Sequence, residues 1–502
     1  MDSAIAPQQL SQPTSESEQA FPLDRSTRHW YALGQFAEGL KNEAFAVFLL
    51  FYYTSVIGLS GILAGQAILI ALLFDAFTDP MVGSLSDRME SRFGRRHPFL
   101  FAAAIPLPIF FYFSFAPPAG LSEMELFWWL TTSAILTRGS MTLFHVPHLA
   151  LGSELSTDYD ERSNIVMLQY VYSRIGGGLA GGLGFLVFLV PTVEFSDGRF
   201  NAAAYPQFAL SLSLLMCAAV LLSAWNTRSR IPYLVKPDAE TLSGHALGNM
   251  IRGSLDAMKM RSFRALFLGT LVMFIAWGVT VSLGLHLATY FWRVTTIEMI
   301  YWGIGMSVGI FAGYGYWARQ ASLTDKKSVF IRGGVLFVVA TVIPPLCLVL
   351  GFWPELGTPA YLPLYILTTG TIAHFGIAAT AVTGRSMMAD VTDEDELRSG
   401  RRREGIFFGA TSFASKAFFG VGSLIAGLVF DFVGLEKGMS AEQAPLTVVR
   451  DLGLTLGLSV LLLVGLSLVL FGRYDLTRER CEEVQELLAE RRDTTQLGEQ
   501  RA

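Results

Sequence analysis

Asp75 and Asp79 stand four residues apart near the end of an apolar run that begins at about Ile62. On a helix this spacing puts both carboxylates on one face. Two acids one turn apart in a low dielectric cannot both stay ionised unaided, because like charge and lost hydration each raise the pKa. Such a pair takes up a proton, a metal ion or a basic side chain. A hard cation such as Na+ favours oxygen donors. Thr78 adjoins the pair, and Pro80 leaves the Ala76 carbonyl without its helical donor. The plainer alternative is a structural ion pair with a buried base. Lys416 is a lone charge far from either end of a long apolar segment; at that depth a snorkelling role is the weaker reading.

Other polar groups interrupt the apolar segments. Glu38, Asn42 and Glu43 lie in the first, Arg138, His145 and His148 in the fourth, Gln169 and Arg174 in the fifth, and Trp277 and His374 in the second half of the chain. Arg138 and His145 are seven apart and share a helical face. A polyhydroxy solute needs hydrogen-bonding and charged groups that converge on a cavity. Histidine at an apolar position more often packs than binds, and His145 and His374 are better solute candidates than His148.

The elements that must hold these groups are membrane helices. Of the 502 residues, 52% are hydrophobic and 16% charged, with a mean hydropathy of +0.44. Soluble chains are about 25% charged. Twelve apolar segments are expected near 30–57, 62–86, 98–116, 124–152, 164–190, 205–225, 264–291, 299–318, 330–351, 360–389, 404–432 and 450–472, most of them long enough to cross a bilayer as helices. Arg and Lys crowd one set of connections, while the other holds Arg199, Arg293, Lys437 and Arg450. The positive-inside rule then puts both termini in the cytoplasm. We expect a polar, disordered tail over 1–27, a six-helix bundle over 28–225, a cytoplasmic loop over 226–263, a second bundle over 264–472 and a cytoplasmic tail over 473–502. The Arg/Glu-rich stretch from Arg478 to Arg492 could form a surface helix. Cys217, Cys347 and Cys481 are too scattered for a disulfide framework or metal cluster. With no nucleophile–base pair or metal motif in view, an enzyme is not expected, and the Gly-rich run from Gly176 to Gly184 follows no strand, which argues for helix packing rather than phosphate binding.

The ordered set Asp75-Ala-Phe-Thr-Asp79-Pro80, Gly83-x3-Asp87-Arg88-x5-Gly94-Arg95-Arg96, Val146-Pro147-His148 through Glu154, Asp390-Val-Thr-Asp-Glu-Asp-Glu-Leu, and Arg402-Arg403-Glu404-Gly405 leading to Lys416 resembles the glycoside–pentoside–hexuronide:cation symporters, the melibiose-permease-like group of the major facilitator superfamily. The resemblance covers about residues 30 to 472. It implies an all-α protein with twelve transmembrane helices in two pseudo-symmetric six-helix bundles, working by alternating access and coupling Na+, H+ or Li+ to solute uptake. It sets Thr142 as a further hydroxyl ligand and brings Lys416 to the aspartates, where the ammonium would yield to the arriving ion. It makes Asp87, Arg88, Arg95 and Arg96 a cytoplasmic turn whose charges pair across the bundle interface, with Glu154, Arg162, Asp390, Arg403 and Glu404 as the facing inner gate; a solvated acidic loop would carry the same residues.

The implied partners are a small solute, a coupling cation and a lipid bilayer, with no nucleic acid and no cofactor. A monomer in a bacterial inner membrane is expected. The chain departs from the melibiose pattern at Gly39 and His145, where aspartates are usual, and at Leu149, where an aromatic residue is usual. The span-five arginine falls near Gln169 or Tyr170, unless Arg174 replaces it. A sugar or glycoside is the expected solute. An amphiphile is the rival, because the aspartate motif also looks like that of vertebrate lysolipid symporters and spans one and three are rich in aromatic residues (Phe45 to Tyr53, Phe110 to Phe115).

Overall fold

Apolar runs of this length can satisfy their backbone in lipid only along the chain, which dictates helices. The computed structural model describes residues 23–156, 158–234, 246–400, 403–436 and 439–499, and every regular element among them is helical. The first half holds α1 (Arg25–Glu43), extended by wide π turns at Ala44–Leu49 and Tyr52–Ile57, and α2 (Gly61–Arg88). Next come α3 (His97–Ala103) and α4 (Pro106–Ser114), which make one rod, then α5 (Glu123–Glu154), α6 (Tyr159–Leu183) and α7 (Ala204–Thr227). A short α8 (Ala246–Ala257) lies in the connection. The second half holds α9 (Arg261–His286), α10 (Thr296–Leu323), α11 (Lys326–Val349), and α12 (Tyr361–Tyr365), which runs through π turns into α13 (Ala373–Ser399). It closes with α14 (Glu404–Val433) and α15 (Leu446–Phe471), and α16 (Arg478–Glu499) follows in the tail.

Local chemistry sets these boundaries. Ser122 with Glu125 and Thr295 with Glu298 form reciprocal caps that start α5 and α10. Gly58, Gly400 and Gly434 turn left-handed where helices stop. The expected tail over 1–27 overlaps α1 by three residues, since α1 starts at Arg25; residues 1–22 lie outside the described residues, as do 235–245 of the connection. Ten of the helical rods are long and apolar enough to cross a membrane. The rods built on α1 and α5 are not among the ten, and they carry Glu38, Lys41, Glu43, Arg138 and His145.

Contacts between the halves gather at mid-depth and at the end away from the termini. There Asp431 of α14 accepts hydrogen bonds from the Gly61 and Ile62 amides that open α2, at 2.6 and 2.8 Å. Thr54 Oγ1 meets His286 Nε2 at 2.9 Å, and Arg199 donates to the Val294 carbonyl at 2.9 Å. A Cβ at Gly427 would collide with the Gly61 carbonyl, which explains how α2 and α14 approach backbone to backbone.

Candidate functional site

The site assembles where α2, α5 and α14 cross. On α5, Arg138, Thr142 and His145 recur at helical spacing and turn towards α2. Thr142 Oγ1 lies 2.7 Å from Asp75 Oδ1 and 3.0 Å from Asp79 Oδ1. Lys416 comes from the other half: its Nζ is 3.1 Å from Asp75 Oδ2 and donates to Asp79 Oδ2. Arg138 Nη1 stands 3.4 Å from Asp75 Oδ2. The Thr78 hydroxyl bonds to the Asp75 carbonyl of its own turn at 3.3 Å. Two carboxylates, one shared hydroxyl and two cationic groups thus form one partly buried polar knot at the interface of the halves. Its oxygens could hold a proton or a hard cation if Lys416 withdrew. Among the described residues, no group of three or more His, Cys, Asp or Glu could hold a transition metal.

The structure draws Arg138 into this knot, away from the solute group in which its spacing with His145 had put it. The guanidinium also lies over the Phe45 ring of α1, 5.6 Å from its centre. His145 borders the same region, within electrostatic range of Glu38, Lys41, Asp79 and Lys416, and its buried Nδ1 has no hydrogen-bond partner among the described residues. Glu38 accepts from Asn42 and, at 3.2 Å, from Ser173. Arg174 sits within electrostatic range of both Glu43 and His374, and so links α1, α6 and α13. Asn42 and Arg174 are exposed at mid-helix, where polar groups line a watery path rather than face lipid.

Other expected residues have different surroundings. His148 is a packing histidine: it stacks on Tyr31 and bonds to Gln35 at 2.9 Å and to the Tyr31 carbonyl at 2.9 Å. Gln169 belongs to the same cluster through the Tyr31 hydroxyl. His374 bonds to the Gly370 carbonyl at 2.7 Å and meets the Trp302 ring edge-on. Trp277 is 42% exposed on α9, and no described hydrogen bond ties it to the site.

The gate charges pair inside each half. Glu154 receives Arg95 and Arg96, both at 2.8 Å, and Asp87 receives Arg96 at 2.6 Å. Arg162 bonds to the Ser156 carbonyl at 2.7 Å. Asp390 takes Lys326 at 2.7 Å, while Arg403 binds Asp395 at 2.6 Å. Arg88 and Glu404 have partners as well. These pairs therefore form one ionic network in each half at the end nearer the termini, among the described residues.

Sequence reasoning missed two residues. Lys41 is 5% exposed on α1; its only signal was a lone charge next to Asn42 and Glu43. Asp431, the acceptor at the start of α2, carried only the signal of an acid at the end of an apolar segment.

Residues 30–478 match the family described as MFS/sugar transport protein. The chain belongs to that family. A putative glycoside/cation symporter of Escherichia coli is 24% identical to it, across 92% of this chain and 94% of its own. The isoprimeverose transporter of Lactiplantibacillus pentosus is also 24% identical, across 82% of this chain and 80% of its own. A mouse sodium-dependent lysophosphatidylcholine symporter matches more locally, at 29% identity over 29% of this chain and 28% of its own. Among solved structures, a bacterial homologue of the lysosomal transporter Spinster superposes with a TM-score of 0.60 at 13% identity, covering 90% of this chain and 98% of that one. The likeness establishes the major facilitator fold. The glycoside–pentoside–hexuronide resemblance of the motifs is borne out, and this family member is a transporter, not an enzyme.

Proposed function

We propose that this transporter is a cation-coupled symporter of a small sugar or glycoside, driven by Na+ or H+ through Asp75, Asp79, Thr78 and Thr142, with Lys416 as the exchangeable internal cation. The observation that carries the reading is the cross-half ion pair of Lys416 with both aspartates. A cation entering the carboxylates displaces the ammonium, and that exchange bears directly on the contact between the halves. Ion binding then favours one access state, and solute binding is linked to it reciprocally. Glu38, Asn42, Glu43, His145, Arg174 and His374 supply the solute-facing groups. The joined end is outer and the ionic networks are cytoplasmic, so the described state faces inward with both termini in the cell. The names of the relatives favour a sugar; the local match to the lysophosphatidylcholine symporter is the reason to keep an amphiphile in any panel.

The test uses full-length protein in vesicles, with an imposed Na+ gradient and then an imposed pH gradient, across a panel of pentosides, hexosides, glucuronides and lysolipids. One gradient should drive uphill uptake of a sugar. Asp75→Asn and Asp79→Asn should each abolish accumulation while leaving the protein inserted. Undiminished uphill uptake in both variants would overturn the assignment.

A further inference from the structure

Lys41 is the buried charge that the ion-coupled reading leaves without a task. It is 5% exposed, and among the described residues it makes no hydrogen bond or ion pair. A charge on so largely buried a side chain is costly when no ion pair compensates it. Two carboxylates lie on its two sides. Glu38 is three residues earlier on α1, on the same helical face, held by Asn42 and Ser173. Asp75 lies across the gap on α2: Arg138 touches Asp75 at 3.4 Å and the Phe45 ring at 5.6 Å, and Phe45 is one turn beyond Lys41 on α1. Glu38, Asp75, Arg138 and Lys416 are all within electrostatic range of the Lys41 ammonium.

We infer that Lys41 is a positioning residue that carries the state of the cation site to the solute site. In the ion-free carrier Lys41 stands between Glu38 and Asp75, without a close partner among the described residues, while Arg138 and Lys416 hold Asp75. A cation arriving at Asp75 and Asp79 repels it, and Lys41 moves to Glu38, neutralising that carboxylate and reordering the Glu38–Asn42–Ser173 group beside His145. The inference rests on the proposed cation site at Asp75 and Asp79.

The experiment is a cation titration of purified full-length protein, read by thermal shift and equilibrium binding, with Na+, Li+ and protons each tried against a choline background. The cation that stabilises the wild type is then used on Lys41→Met, Lys41→Arg, Glu38→Gln and the double variant Glu38→Gln/Lys41→Met. Removing a competing charge should tighten cation binding roughly tenfold in Lys41→Met, whereas Lys41→Arg should retain wild-type affinity. Glu38→Gln, which takes away the alternative partner, should weaken binding several-fold. In the double variant the effect of Glu38→Gln should vanish. Additive effects, or unchanged affinity in Lys41→Met, would overturn the role of Lys41 and leave the symporter reading standing. A wild type that responds to none of the cations would overturn both.

Discussion

Thr142 offers one hydroxyl to two carboxylates, 2.7 Å from one and 3.0 Å from the other. It can donate its single proton to only one at a time, and its lone pairs remain free to face a cation between them. Thr142→Ala should therefore raise the half-saturating cation concentration about ten- to 150-fold, equivalent to the ~1.5–3 kcal/mol of a hydrogen bond to a charged group, while Thr142→Ser should stay near wild type. Uptake measured against cation concentration checks this, and equal curves for the alanine variant would refute the hydroxyl's role. At this scale the sequence was readable where chemistry is local. The aspartate pair was legible from spacing alone, because low dielectric and like charge leave such a pair few roles. That Arg138 would reach Asp75 was not legible, because helical spacing tells which residues share a face, not which neighbour that face meets. Lys41 was passed over because a single charge among polar neighbours gives no periodic signal.

The helix pair α2 and α14 carries both the proposed ion site and the closed seam. Gly61 and Gly427 lie face to face at one end, while Asp75, Asp79 and Lys416 meet further in, and fourteen residues of α2 between Gly61 and Asp75 span ~21 Å. A side chain at Gly427 has nowhere to go unless the seam parts. Gly427→Val should favour the state open at that end, so that Ser60→Cys becomes more reactive to a membrane-impermeant maleimide added outside. Gly465→Val on α15, where an added Cβ meets nothing within 4 Å, is the control. Equal labelling in the two backgrounds would show that the seam does not govern opening. The glycine run of span five was recognisable as a packing device, but Gly61 was not, because its partner Gly427 is set by the register of two helices 366 residues apart in sequence.

Across the whole molecule, alternating polarity and the clustering of basic residues made the helical architecture readable before any contact was known. Where the gate charges would pair was not readable, since each acid had several bases within reach in sequence and only the packed halves choose among them. The tail is a similar case: a surface helix was foreseeable, its docking was not. Val484 and Leu488 of α16 are buried against the second half, and Arg478 bonds to Asp325 and to the Ser322 carbonyl. Burial, reinforced by Asp390, pushes the Cys481 thiol up to about 12, so it stays protonated at neutral pH. With Cys217 and Cys347 replaced by serine, Cys481 should react with maleimide at pH 7.5 roughly a thousandfold more slowly than an ordinary thiol. Leu488→Asp, which undocks the helix, should restore fast labelling; rapid reaction before undocking would contradict the buried tail.

The cross-half pairing of Lys416 also bears on how the protein is made. The aspartates leave the ribosome more than 300 residues ahead of the lysine that balances them. During that interval the nascent first half has only Arg138 to set against the pair, beside Asp75, and must carry the remaining acid protonated or hydrated as it enters the bilayer. Synthesis of α14 ends that interim state, and assembly of the two halves is, at this point, an acid–base reaction between the early and late parts of one chain.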